Sequence, residues 1–294
     1  MDWDNLKFFL AVARTQNVSD ASIKLKVSAS TVARKINDLE YSLGTTLFNK
    51  KTNGYYLTEV GENILPVAEE TAARLEFMAR QIGRQASEKS GVIRLDMPEL
   101  IGLYFITPIL RNIQEEYPDI SFEFTNSVVT RKLTNAQSDV IIRLHKPDSG
   151  LYTMRKIGVL QQAAYCSSEY ALKNGVPQSA EDLGGHFLIG WNEDLSYQPL
   201  AQWFARATNG MEPWMRSANL YAQLNAVDSG LGIAALPSFA ARRLGLQRVL
   251  EATPPLEVEI WLLRNMETRS YKSIDLVVES ITGALDEHRE LLLA

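Results

Sequence analysis

The sequence contains one cysteine, Cys166, which excludes an intramolecular disulfide and fits a reducing, cytoplasmic compartment. Its neighbours Ala164 and Tyr165 are apolar, so the thiol reads as packed rather than reactive. The three histidines, His145, His186 and His288, stand too far apart for local metal-ligand spacing. No run approaches the ~18 apolar residues of a membrane span. The N-terminal MDWDN is acidic with no signal-length apolar stretch behind it, so export is not expected. There is no G-x-S-x-G serine motif. Gly230 to Ala235 fits G-x-G-x-x-A by letters, but a helical pattern precedes it and a strand pattern follows, the reverse of a dinucleotide-binding turn. Neither catalysis nor a bound cofactor or metal is indicated.

Positive charge is also short overall, at a formal net −5. Its placement is uneven. From Lys7 to Thr58 there are eight Lys and Arg against three Asp and Glu, a local +5 that leaves −10 on the rest. A basic head on an acidic body concentrates phosphate attraction in one module.

That head has a recognisable plan. Asn5 to Gln16 reads as a helix with Leu6, Phe9, Leu10 and Ala13 on one face, Asp4 as its cap and Asn17 as its left-handed terminus. Ser19 is expected to cap a short helix from Asp20 to Leu25, and Lys26, Val27 and Ser28 turn the chain. Ser28 then caps a helix from Ala29 to Leu43, ended by Gly44, with Val32, Ile36, Leu39 and Leu43 facing the core. Its other side offers Ser30, Thr31, Arg34, Lys35 and Asp38: little bulk, donors for base edges and cations for phosphates. This is a helix-turn-helix pattern, the bland alternative being a pair of surface helices. Asn53-Gly54 predicts a hairpin, with Lys50, Lys51 and Thr52 on one arm, read as a wing or else as an ordinary solvated hairpin.

Thr58 is expected to cap a long helix to about Lys89. Ile64, Ala68, Thr71, Leu75, Met78 and Ile82 form a near-heptad seam for dimerisation, unless the helix packs on its own domain. Ser87 to Gly91 reads as a linker, and strands alternate with helices beyond it, implying open, mostly parallel sheets with a cleft between two subdomains. The domains are therefore expected at 1–58, 59–89 and 90–294, the last divided into subdomain I (about 91–161 plus 265–294) and subdomain II (about 162–264).

The stretches LKFFLAVARTQNVSDASIKLKVSASTVARKINDLEYSLGTTLFNK and LTEVGENIL resemble the LysR-type transcriptional regulators. GVIRL, EEYPDISFEF, SDVIIR and VDSGLGIAALP resemble that family's effector-binding half, so the likeness spans the chain. It implies an α/β body with an all-α-rich head: an N-terminal winged helix-turn-helix, a long linker helix and a C-terminal two-subdomain domain like type 2 periplasmic binding proteins. It further implies a bacterial cytoplasmic regulator, a homodimer or homotetramer on double-stranded promoter DNA, with a small-molecule effector, RNA polymerase as a candidate partner and no membrane. The alternative is a ligand-independent DNA-binding scaffold or repressor. The family commonly has glutamine where Ala29 stands and serine where Ala33 stands. Base readout is then expected from Ser30, Thr31 and Arg34, from thymine-methyl contact by Ala29, or from DNA shape, with Ser28, Lys35, Lys50, Lys51 and Thr52 completing the interface.

In that fold four loops are expected to line the effector cleft: Pro98, Glu99 and Leu100; Asn126, Ser127 and Val128; Arg143; and Ser217 to Asn219, contributing Ser217 and Asn219. Trp191 and Asn192 add a stacking surface and an amide, although a core role for Trp191 is the competing reading. Arg143 is expected either to pair a ligand carboxylate or to be a buried partner of Glu123 or Asp139. Glu99 would repel anions there.

Overall fold

In the computed structural model, residues 2, 4–51, 53–84, 91–125, 138–147, 152–268 and 271–293 are described. They form two units, one running through the long helix and one beginning just after it.

The first unit begins with α1 (Asn5–Thr15), α2 (Val18–Leu25) and α3 (Ala29–Leu43). Phe8, Phe9, Leu10, Val12, Val32, Ile36 and Leu39 meet in its core. The helix ends follow local chemistry. The Ser28 hydroxyl accepts from the Thr31 N–H at 3.1 Å, and Gly44 closes α3 at φ 67°. Four expectations need correction here. Gln16, not Asn17, takes the left-handed position after α1. Asn17 instead caps α2, accepting from the N–H groups of Ser19 (2.7 Å) and Asp20, so Ser19 lies inside the helix. An amide at that point satisfies two orphan donors that Ser19 could not reach. Asp4 does not cap α1, because its carboxylate pairs with Lys7 at 2.6 Å. Leu43 is exposed rather than part of the core stripe.

β1 (Phe48–Lys51) and β2 (Gly54–Leu57) form the antiparallel wing. Gly54 is paired with Lys51, so it is a strand residue and Asn53-Gly54 is not the two-residue loop. A close approach explains this glycine. The Tyr55 N–H donates to the Gln16 carbonyl at 2.8 Å, and a Cβ on Gly54 would lie 2.6 Å from that oxygen. α4 (Glu59–Arg84) follows, with the Thr58 hydroxyl accepting from the Gly61 N–H. Ala68 is buried and Ile64 packs beside it in the head core, so these two seam positions face their own unit.

The second unit runs β3 (Gly91–Asp96), α5 (Glu99–Ile101), α6 (Thr107–Glu116), β4 (Ile120–Thr125), β5 (Val140–Arg143) and β6 (Tyr152–Cys166). α5 continues into α6 through a π turn, Gly102–Ile106, just before Pro108, which lacks the N–H an α-helix would use. The chain then continues through α7 (Ser168–Asn174), β7 (Ile189–Gly190), α8 (Pro199–Ala207), β8 (Met215–Arg216), α9 (Leu220–Asp228), β9 (Ala234–Pro237), α10 (Ser238–Arg243), β10 (Gln247–Val249), β11 (Leu256–Asn265), α11 (Lys272–Glu287) and α12 (Arg289–Leu293).

The sheet order is β10-β6-β11-β5-β3-β4, with β9 also on β6. Only β3–β4 and β3–β5 are parallel within it, so the expected mostly parallel pair of sheets is replaced by one mixed sheet. The reason is β6. Its first part pairs with β11, and its last part lies between β9 and β10. β11 pairs along β5 and β6, which joins it to the first half of the sheet rather than to subdomain II. Gln162 stands at the changeover, opposite both Leu256 and Pro237. No helix among the described residues is long and apolar enough to cross a membrane.

Candidate functional site

Two sites emerge, one in each unit. On the head, Ser28, Ala29, Ser30 and Arg34 are exposed, and Thr31 and Lys35 half-exposed, on the first turns of α3. The hydroxyl of Ser28 is already engaged by the Thr31 N–H and by the hydroxyls of Ser30 (2.9 Å) and Thr31 (2.8 Å), so it positions its neighbours. The cations divide into committed and free. Lys35 reaches Asp2 at 3.4 Å, and Lys50 donates to Asn37 at 2.7 Å and lies 3.7 Å from Glu40. Arg34 makes no hydrogen bond or ion pair among the described residues, and Lys51 rests over the Tyr56 ring at 5.2 Å. Arg34 and Lys51 are therefore the readiest to meet phosphate or base edges. Thr52 lies outside the described residues.

Glu40 was not singled out in the sequence. It is buried at the far end of α3, and one oxygen accepts from the N–H groups of Leu47 (2.7 Å) and Phe48 (3.0 Å). It fixes the start of the wing to the recognition helix. Its only sequence signal is an acid at a helix position that faces the core.

In the second unit a cavity of about 180 Å³ opens beside β6. Pro98, Glu99, Leu100, Arg143 and Trp191 line it, as expected. Asn192 and Ser217 do not. Ser217 is held in the turn before α9, its hydroxyl accepting from the Asn219 N–H. Asn219 caps α9 through Ala222 and donates to Glu99 at 3.1 Å, so it acts behind the wall. Asn126, Ser127 and Val128 lie outside the described residues. The sequence reading missed Met97, His145, Leu160, Gln162, Pro237 and Phe239. Leu160 and Gln162 alternate on one face of β6, a period-two signal that identifies them only once that strand is known to pass the cavity.

Arg143 corrects both of its expected roles. It is buried and pairs with Asp96 at 2.5 Å, while also donating to the Ile142 carbonyl. Glu123 pairs instead with Arg94 at 2.6 Å, and Asp139 accepts from the Arg94 backbone N–H. Parallel β3 places Asp96 beside Ile141 of β5, close to Arg143 in space though far in sequence.

A winged helix-turn-helix joined to a mixed α/β body with an internal cavity defines a class of DNA-binding regulators that carry a ligand-binding domain. Residues 3–62 match the bacterial regulatory helix-turn-helix family of lysR type, and residues 86–285 match the LysR substrate binding domain. The chain belongs to the LysR family of DNA-binding transcriptional regulators. The Mau operon transcriptional activator of Paracoccus denitrificans is 30% identical, over 92% of this chain and 91% of that protein. The uncharacterized regulator YhjC of Escherichia coli (strain K12) is 26% identical over 96% and 97%. The full-length structure of the Vibrio cholerae virulence activator AphB is 25% identical, with a TM-score of 0.65 or below for its two forms and 0.63 for this one, covering 96% of this chain and 99% of that one.

Proposed function

We propose that this regulator grips promoter DNA through the first turns of α3 and the β1–β2 wing, with Arg34 and Lys51 carrying the principal charge. The observation that carries this reading is the exposed, unpaired Arg34 beside the small hydroxylated turn at Ser28 to Thr31. Ser28 orders that turn, Ala29, Ser30 and Thr31 face the bases, and Lys35 and Lys50 act after releasing their intramolecular partners. On α4, Val67, Thr71, Leu75 and Met78 form the self-association stripe, in place of Ile64 and Ala68. Val67, Leu75 and Met78 are exposed apolar residues at near-helical spacing, which supports pairing with a second copy.

A small molecule in the cavity of the second unit is the effector. It favours one closure state of that unit and so shifts how paired heads accept their half-sites. The built cavity favours this over a ligand-independent scaffold. The protein works in the cytoplasm without catalysing a reaction, and RNA polymerase is its further partner on the promoter.

The test is anisotropy binding to the DNA upstream of the protein's own gene, against scrambled competitor. Tight, competitor-resistant binding is expected. Lys51→Ala should lower affinity on both DNAs and reduce the salt slope by about one. Arg34→Ala should weaken the specific site more, by roughly 1–3 kcal/mol, if it reads a base. Variants that bind like the parent would refute the interface.

A further inference from the structure

The cavity wall has an unusual polar inventory for its apolar surroundings. Met97, Leu100, Ile101, Leu160, Phe239 and Val258 supply hydrocarbon. Among the described lining residues the chargeable groups are Glu99, Arg143 and His145. Arg143 is already matched by Asp96, and its guanidinium also serves the Ile142 carbonyl. Drawing it to a ligand carboxylate would strand Asp96, itself buried. Glu99 is met by the amide of Asn219, with no cation on it among the described residues. The wall therefore carries one unmatched negative charge before His145 titrates.

Two further groups await partners. Gln162 is only 3% exposed and lines the cavity, yet its carboxamide makes no hydrogen bond among the described residues. The indole N–H of Trp191, also in the wall, is buried without a partner. A buried amide left unmatched costs on the order of 1–3 kcal/mol, which a ligand with complementary groups would recover. Size narrows the choice: a dry cavity of about 150 Å³ holds a benzene ring, and this one is about 180 Å³.

We propose that the effector is a small, non-anionic molecule, with an apolar body of about one ring and an amine- or amide-type N–H head that Glu99 and Gln162 recognise. This rests on the reading of the cavity as the effector site. Arg143 is then a structural partner of Asp96 and not an anion clamp.

The experiment titrates the full-length protein with benzoate, benzamide and benzylamine, matched in body and differing in head charge, at neutral pH by calorimetry. Benzamide and benzylamine should bind at least roughly tenfold more tightly than benzoate, since a carboxylate would face Glu99 with no free cation. Glu99→Gln should erase the preference of benzylamine over benzoate. Gln162→Leu should weaken benzamide while leaving the ligand-free melting temperature within a few degrees. Tightest binding by benzoate, a preference that survives Glu99→Gln, or binding by none of the three overturns the ligand class. DNA binding on the same preparation separates the failures. If DNA is bound and benzoate wins, only the ligand class falls. If ligands bind but neither variant alters them, the cavity is not the site, and the underlying reading falls too.

Discussion

Arg143 shows where single residues escape a reading of the sequence. Its position at the end of β5 was legible, but its partner was not, because Asp96 comes beside it only through parallel pairing of β3 with β5. Removing that partner has a definite cost. Asp96→Ala should leave a buried, uncompensated guanidinium and destabilise the chain by about 3–5 kcal/mol in urea unfolding. The double change Asp96→Leu with Arg143→Met should recover most of that loss. Recovery would mark the pair as structural; no recovery would mean that Arg143 has other buried work. Cys166 was legible as a packed thiol, and burial pushes it up from 9.0 to about 11. Its thiolate is disfavoured in the folded state, so its stabilising contribution is complete below the unfolded value of 9.0 and is lost as pH rises towards about 11. The native protein should resist a disulfide reagent at pH near 8 and react only on unfolding. Fast labelling of the folded chain would contradict the burial.

At the scale of elements, caps and breaks carried clear signals, while strand partners did not. Ser28 and Gly44 bracket α3 as their chemistry demands, and Thr58 starts α4. Asn17 was misplaced because an asparagine suits both a left-handed helix end and an N-cap, and only the chain direction after Gln16 decides. β6 was read as a short strand near Ala163 because its earlier half, with Arg155 and Lys156 exposed, lacks a continuous apolar run. β10 is three residues long and left no pattern. Glu40 belongs to this scale because it ties one element to the next. Glu40→Ala should orphan the N–H groups of Leu47 and Phe48 and destabilise the head by roughly 2–3 kcal/mol. Hydrogen exchange should show both amides losing protection while the α1 amides keep theirs. Equal loss throughout would mean that the wing is not separately anchored.

For the molecule as a whole, uneven charge was the most informative global property of the sequence, since a net −5 conceals a basic head. Pairing within the protein refines it: Lys35 and Lys50 spend part of their charge on Asp2 and Glu40, so fewer cations are free than the sequence count implies. One weakly charged head supplies limited counterion release, and two heads on one pair of helices compensate through effective concentration. The exposed stripe on α4 is where that coupling is decided. Leu75→Asp places a charge among Val67, Thr71 and Met78, and should convert the assembly to a species that sediments as a monomer. Helix content should be retained, since Leu75 is half-exposed and outside the head core. Affinity for a two-half-site operator should fall about 10²-fold or more as avidity is lost, while affinity for an isolated half-site stays unchanged. A variant that remains dimeric would place self-association on the second unit. A monomer with full operator affinity would mean that a single head suffices.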